Sequence, residues 1–263
     1  MTDASHRVAV CTPIATLFAE PGVASAPISQ LLAGRVADVL EERDDWYRVR
    51  GPDEYEGWIH RGYVTLVPDR AARRSAQTDR ISLGCVTSTA SGARRRMPLG
   101  ACLTPEERIK AGDFVAAVDK DERFPAEAGA ITRSAQIFFE GTSYIWGGVT
   151  PWGCDCSGLV QSVYWLHGIQ LRRDAWQQAQ QGAPGDAELV NARAADLLFF
   201  SDRVDRHITH VAISLGSGSL VHLALGRGGY AVERLDDPRD PYIRKLIERF
   251  VTARRILAPT STV

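Results

Sequence analysis

Two cysteines one residue apart, Cys154 and Cys156 in "GCDCSGLVQSVYWLHG" (residues 153–168), raise the question of what chemistry this 263-residue chain performs. Three readings compete for them. Structural zinc loops separate paired cysteines by about two to four residues and add a second pair further on; here one residue intervenes and no second pair follows. A redox pair needs two intervening residues beside a βαβ unit, which is also missing. The third reading, a nucleophile, makes more definite demands. Cysteine attacks as its thiolate, and the unpaired N–H groups and dipole of a helix N-terminus favour that negative charge. Leu159, Val160, Val163 and Leu166 recur at three and four residues, predicting one helix from Cys156 to His167 that Gly168 ends. Cys156 therefore stands in a first turn, with small Ser157 and Gly158 leaving its sulfur accessible.

A base must reach that thiol from a distant part of the chain. His210 opens the strand pattern "THVAISLG", with His210, Ala212 and Ser214 on one face and Val211, Ile213 and Leu215 on the other. His222 lies in the next strand, beyond "GSGS". A two-residue turn at Ser217–Gly218 puts the two histidines on opposite faces. A three-residue Gly216–Ser217–Gly218 loop puts His222 across from Ala212 and diagonal to His210. In that register His222 can hydrogen-bond the far ring nitrogen of His210 and hold its tautomer. Cys156, His210 and His222 then outline a nucleophile, a base and an orienting residue. His167 and His207 lack such support and are expected at the surface or in packing.

The elements that position these residues follow from periodicity. "PAEAGAITRSAQIFFEG" (125–141) has helical spacing, and "RRDAWQQAQQG" reads as a shorter helix. "ADLLFF", "THVAISLG", "SLVHLAL" and "FVTARRIL" read as strands. Helices followed by an antiparallel sheet make residues 126–263 an α+β domain. Residues 7–67 alternate over short stretches broken by Gly, Pro and Asp, the pattern of a small barrel, so 1–67 is expected as one β domain. "PDRAARRSAQTD" (68–79) reads as a polar linker. Residues 80–125, with "ISLGCVTSTASG" and "DFVAAVDKDE" as expected strands, complete a second β unit.

Composition narrows the function classes. Lys and Arg total 31 against 32 Asp and Glu, so net charge supplies no attraction to nucleic acid. The clusters Arg70, Arg73, Arg74 and Arg94, Arg95, Arg96 read as solvated linker or loop charge. The start "MTDASHRVAVCTPIATLFAEPG" lacks the basic and long apolar segments of a signal peptide, and no run approaches the roughly 20 apolar residues that span a bilayer. Five cysteines at irregular spacing argue for reduced thiols in a cytoplasm. No nucleic-acid or membrane partner is expected.

Two resemblances add to this. "VLEERDDWYRVRGPDEYEGWIHRGYV" is similar to a bacterial SH3-type domain, and residues 80–125 are expected as a second SH3-like unit. "SYIWGGVTPWGCDCSGLVQSVYWLHGIQLRRDAWQQ" with "THVAISLGSGSLVHLA" resembles the papain-like NlpC family of bacterial cell-wall peptidases. The family signature Asp-Cys-Ser-Gly stands at 155–158, and its His-Val-Gly strand stands as His210-Val211-Ala212, a departure by one methyl. The resemblance implies a papain-like α+β fold, with Cys156 as nucleophile, His210 as base and His222 as third member. It also implies Tyr144 as oxyanion donor beside the Cys156 N–H, and no metal or organic cofactor. Trp146 is a candidate pocket wall, and Cys154 falls where the family tolerates many residues.

Such enzymes usually cut the amide between γ-D-glutamate and a diamino acid in murein peptides. A YkfC-like recycling branch joins SH3-type domains to this core and requires a free N-terminal L-alanine. In that branch an Arg-Asp pair and an SH3-domain tyrosine hold the α-amine, implying Arg173, Asp174 and Tyr55 here, with Ser157 lining the alanine pocket. Asp174 also has the form of a helix N-cap with Gln at the third position. Arg172 and Arg227 are candidates for a substrate carboxylate. The expected partner is a free murein peptide with diaminopimelate as diamino acid. The alternatives are a broader hydrolase of intact peptidoglycan anchored by its SH3 domains, and an inert peptide-binding module.

Overall fold

The computed structural model describes residues 6–67, 80–237 and 239–258. The expected linker 68–79, with Arg70, Arg73 and Arg74, lies outside the described residues. The chain divides into two compact units, Met1–Arg123 with Trp146–Gly148, and Phe124–Ile145 with Val149–Val263.

In the first unit, β1 (Arg7–Val10), β2 (Ile14–Phe18), β3 (Pro27–Leu32), β4 (Val36–Arg43), β5 (Trp46–Arg50), β6 (Glu56–His60) and β7 (Val64–Val67) form one antiparallel sheet in the order β3-β2-β6-β5-β4-β1-β7. The sequence alternation is what folds it. Val8, Val10, Ala15, Leu17, Tyr47, Val49 and Ile59 turn inward to one core, while the intervening Arg48, Arg50 and Glu56 pair on the outside. A second sheet holds β8 (Arg80–Ser88), β9 (Arg94–Met97), β10 (Cys102–Leu103) and β11 (Arg108–Ala116), with β8 pairing to each of the others. It is tied to the barrel by Cys102 N–H on the Ala33 carbonyl (2.9 Å) and Arg95 Nη2 on the Cys11 carbonyl (2.7 Å).

Two expectations change here. "DFVAAVDKDE" does not run on as a strand: β11 ends at Ala116, and helical turns occupy Ala117–Asp119 and Lys120–Arg123. Arg94–Arg96 are strand residues rather than loop charge. Arg95 Nη1 lies 2.8 Å from the buried Glu107 carboxylate, whose desolvation requires a counter-charge.

In the second unit, α1 (Ala128–Phe139) and α2 (Cys156–Leu166) pack on each other, and α2 lies against the sheet. Every member of the stripe read from the sequence, Leu159, Val160, Val163 and Leu166, is buried. The short hairpin β12 (Val149–Thr150) and β13 (Gly153–Cys154) leads into α2, and the single turn α3 (Ala175–Gln178) follows it. The sheet comprises β14 (Ala183–Pro184), β15 (Asp196–Phe200), β16 (His210–Gly216), β17 (Ser219–Ala224), β18 (Gly229–Arg234) and β19 (Phe250–Arg255), in the order β14-β19-β15-β16-β17-β18. Its paired strands are antiparallel, an α+β arrangement. Between β18 and β19 runs α4 (Pro241–Glu248), capped by Asp240, whose carboxylate accepts the Tyr242 N–H. His167 packs inside, its ring nitrogens on the Pro125 carbonyl and the Ser134 hydroxyl, whereas His207 is exposed.

Candidate active site

Asp155 starts α2. Its Oδ1 accepts the Gly158 N–H at 2.7 Å, an N-cap that satisfies one of the helix's orphan donors. The cap is itself buried and would be unstable as a lone charge. Arg173, 1% exposed, supplies the partner: Nη2 lies 2.6 Å from Asp155 Oδ2, and Nη1 lies 3.1 Å from Oδ1 and 2.8 Å from Ser157 Oγ. Arg173 was expected beside a substrate amine; the structure places it beneath the helix start, where it neutralises the cap. Ser157 likewise spends its hydroxyl on Asp155 and Arg173.

Asp174, the next residue, forms the expected capping box with Gln177. Gln178, fully buried, donates from Nε2 to the Ser157 carbonyl (3.1 Å) and the Arg172 carbonyl (2.9 Å). Asp174 is therefore carried on a segment bonded on both sides to the turn that bears Cys156. Sequence reasoning missed Gln178, and glutamine spacing alone gives no signal for it.

The Cys156 thiol is buried at the start of α2, and α2 packs on β16, the strand that His210 opens. The helix start was expected to hold this thiol low. Instead burial, reinforced by the Asp155 carboxylate, pushes it up to about 12, against the opposing pull of the Val211 N–H and the Arg173 guanidinium. His210 moves the opposite way: burial, then the nearby His222 and Arg249, holds its imidazole well below the ordinary range. Both shifts favour a neutral thiol and a neutral imidazole at rest.

His210 Nε2 lies 2.9 Å from His222 Nδ1. The strands achieve this register in a way that combines the two sequence alternatives. The turn is the two-residue Ser217–Gly218, both at positive φ, and Gly216 pairs with Ser219. A bulge between Ser214 and Gly216 then shifts the pairing to Ile213↔Val221, which sets Ala212 opposite His222. The extra residue restores what the short turn alone forbids. The methyl of Ala212 is accommodated in the core.

Tyr144 is pinned by its N–H on the Gly228 carbonyl (3.0 Å) and by a bridge to Cys154. Gly229 permits that approach, because a Cβ there would sit 2.2 Å from the Thr142 carbonyl oxygen. Burial, then the nearby thiol of Cys156 and the Asp155 carboxylate, raises the Tyr144 hydroxyl, so it stays protonated and able to donate. Cys154 is fully buried, its Sγ on the Asp155 carbonyl, and burial keeps it a thiol well above the usual range.

Tyr55 and Trp146 belong to the first unit. Tyr55 is half-buried in the turn before β6, its N–H on Asp53 Oδ1, and Trp146 is 65% exposed. Arg227, a candidate for a substrate carboxylate, is instead committed to Glu233 and Asp240.

A buried thiol at the start of a helix packed on the strand that bears one of two hydrogen-bonded imidazoles is the arrangement of a cysteine peptidase. Residues 141–248 match the NlpC/P60 family and residues 15–65 the bacterial SH3 domain; the catalytic domain belongs to the NlpC/P60 cell-wall cysteine peptidases. The chain is 28% identical over 227 residues to the γ-D-glutamyl-L-lysine dipeptidyl-peptidase of Bacillus subtilis (strain 168), covering 74% of this chain and 71% of that one. It is 27% identical to dipeptidyl-peptidase 6 of Lysinibacillus sphaericus, covering 93% of this chain and 97% of that one. The crystal structure of an NlpC/P60 family protein from Bacillus cereus ATCC 10987 superposes with a TM-score of 0.79 at 20% identity, over 96% of this chain and all of that one. At that identity the likeness is one of fold.

Proposed function

We propose that this protein hydrolyses the amide between γ-D-glutamate and the following diamino acid in free murein peptides whose N-terminal L-alanine is unblocked, in the recycling of wall fragments in the cytoplasm. The observation that carries the chemistry is the buried Cys156 thiol at the start of α2, packed on the strand that bears His210, with the 2.9 Å His210–His222 bond on the sheet. Because His210 uses Nε2 on His222, its Nδ1 is the nitrogen that takes the thiol proton. The thiolate adds to the γ-carbonyl carbon of D-glutamate. The resulting oxyanion is held by the Cys156 N–H and the Tyr144 hydroxyl. The His210 imidazolium then protonates the leaving amine, the C–N bond breaks, and a thioester remains. Water, deprotonated by His210, attacks the thioester and restores the thiol. Tyr144→Phe removes one oxyanion donor and is expected to lower kcat by about 10²-fold with little change in KM, measured on the purified enzyme with a tripeptide substrate.

Asp174 is the proposed partner of the substrate ammonium, and Tyr55 of the SH3 domain is the second residue that the resemblance implies for it. Asp174 is half-buried, and a bound peptide that takes this carboxylate out of water without offering an ammonium is penalised, so this pairing rejects peptides whose alanine is amide-linked to glycan. The relatives' names support release of a dipeptide, and one of them places L-lysine after γ-D-glutamate in that protein. The test is mass spectrometry of L-Ala-γ-D-Glu-L-Lys and of its diaminopimelate counterpart after incubation. The expected result is release of L-Ala-D-Glu from at least one of them, lost by about 10³-fold or more when the alanine is N-acetylated. Equal cleavage of the acetylated peptide, or solubilisation of intact sacculi, would instead support the broad wall hydrolase.

A further inference from the structure

The third member of the site is fully buried and has a second ring nitrogen to satisfy. His222 Nδ1 faces His210, and His222 Nε2, buried and with no hydrogen-bond partner among the described residues, lies 3.5 Å from the Glu233 carboxylate. Sheet register explains the placement. β17 and β18 pair His222 with Ala231 and Leu220 with Glu233, so Glu233 lies diagonal to His222 on the same face. His210 lies diagonal to His222 on the other side. Three strands thus carry His210, His222 and Glu233 in one oblique row.

Glu233 is buried and held in place. Arg227 Nε donates to Oε1 at 2.6 Å and Nη2 to Oε2 at 3.0 Å, while the same Nη2 reaches Asp240, the cap of α4. The Arg227 guanidinium stacks 4.2 Å over the Tyr242 ring, whose edge meets His222. Burial alone would raise the Glu233 carboxyl, but the nearby His222 ring and the Arg227 bonds outweigh it and hold the group ionised. An arginine clamp, a buried carboxylate and a buried imidazole therefore run from the protein surface to the base.

We infer that Glu233 is a positioning residue that sets the tautomers of both histidines. A carboxylate only accepts hydrogen bonds. Opposite it, His222 must carry its proton on Nε2, which leaves Nδ1 as an acceptor. His210 must then carry its proton on Nε2 and donate it to that Nδ1. His210 Nδ1 is left bare, and it is the nitrogen that receives the thiol proton. With the opposite tautomers His210 would present an N–H to Cys156 and could not act as a base. The carboxylate also favours the imidazolium formed during attack. The inference rests on the Cys156–His210–His222 assignment and does not depend on which peptide is cut.

The test uses the full-length protein with ¹⁵N-labelled histidine, resting and without substrate. Wild type is expected to show both His210 and His222 as Nε2–H tautomers. Glu233→Gln, whose amide can turn its NH₂ toward His222, is expected to populate the Nδ1–H forms. In kinetics, kcat falls between about ten- and a hundredfold with KM unchanged, and Glu233→Asp recovers part of the loss. Removing a negative charge disfavours the imidazolium, so the acid limb of kcat/KM moves to lower pH. The other charged or titratable groups around the pair, Cys156, Arg227, Asp240, Tyr242 and Arg249, are unchanged in this comparison. An unchanged acid limb and unchanged tautomers in Glu233→Gln, whatever its activity, would overturn the inference. Should that variant not fold, the wild-type spectrum decides alone: His222 as the Nδ1–H tautomer contradicts the role. An active Cys156→Ala enzyme would mark failure of the triad itself rather than of Glu233.

Discussion

Cys156→Ala is expected to abolish turnover, with a loss on the order of 10⁶-fold in kcat, as when the nucleophile of a catalytic triad is removed. The loss reflects chemistry and not unfolding. Asp155, Arg173 and Ser157 hold the helix start through their own side chains and the Gly158 N–H, and none of these bonds involves the sulfur. His210→Ala is expected to cost nearly as much, because a thiol pushed up to about 12 has almost no thiolate of its own at neutral pH. The double variant should be little worse than either alone, since a nucleophile and its base act as one unit. Independent, multiplying losses would mean that His210 serves some other step.

Arg173→Met should destabilise the protein by about 3–5 kcal/mol. The substitution keeps the apolar stem but leaves Asp155 a buried carboxylate without its counter-charge, both partners being almost wholly enclosed. For a chain of this size that corresponds to a fall of roughly 10 °C in the melting temperature, read by calorimetry. Asp155→Asn combined with Arg173→Met should restore part of the loss, because the isolated charge is gone. If Arg173 instead served a substrate amine from an exposed position, Arg173→Met would raise KM and leave the melting temperature nearly unchanged.

The contrast shows which parts of the site were legible in the sequence. Helix α2 was, because its stripe repeats at helical spacing and its glycine stop is unambiguous. The His210–His222 contact was legible only as an alternative. A bulge at Leu215 settles it, and a bulge leaves no mark in a sequence of alternating residues. Arg173 was misplaced because "LRRDAWQQ" reads equally well with its arginine facing a ligand or a neighbouring helix cap. Glu233 was missed for a similar reason: in "YAVERLDD" it looks like one more solvated charge, and only the pairing of β17 with β18 brings it to His222. Helix α4 did carry a signal, with Asp240 as cap, Pro241 at the first position and Ile243, Leu246 and Ile247 at helical spacing.

The shift of Cys156 was illegible for a physical reason. A helix N-terminus lowers a thiol's pKa where water can reach it, but the same position under a packed sheet loses more from desolvation than the dipole returns. Burial is a property of the whole fold and cannot be read from "GCDCSG". The consequence is functional: a neutral resting thiol does not attack until His210 takes its proton, which makes the imidazole pair and its tautomers the controlling feature of the site.

The most direct measurement is an acid quench of the enzyme in the first turnovers of L-Ala-γ-D-Glu-L-Lys or its diaminopimelate counterpart, followed by digestion and mass spectrometry of the peptide containing Cys156. A covalent thioester to Cys156 predicts an added L-Ala-D-Glu residue on that peptide, absent from Cys156→Ala, with the free diamino acid released in matching amount. Dipeptide formation with no adduct on Cys156, sustained in the Cys156→Ala enzyme, would contradict it.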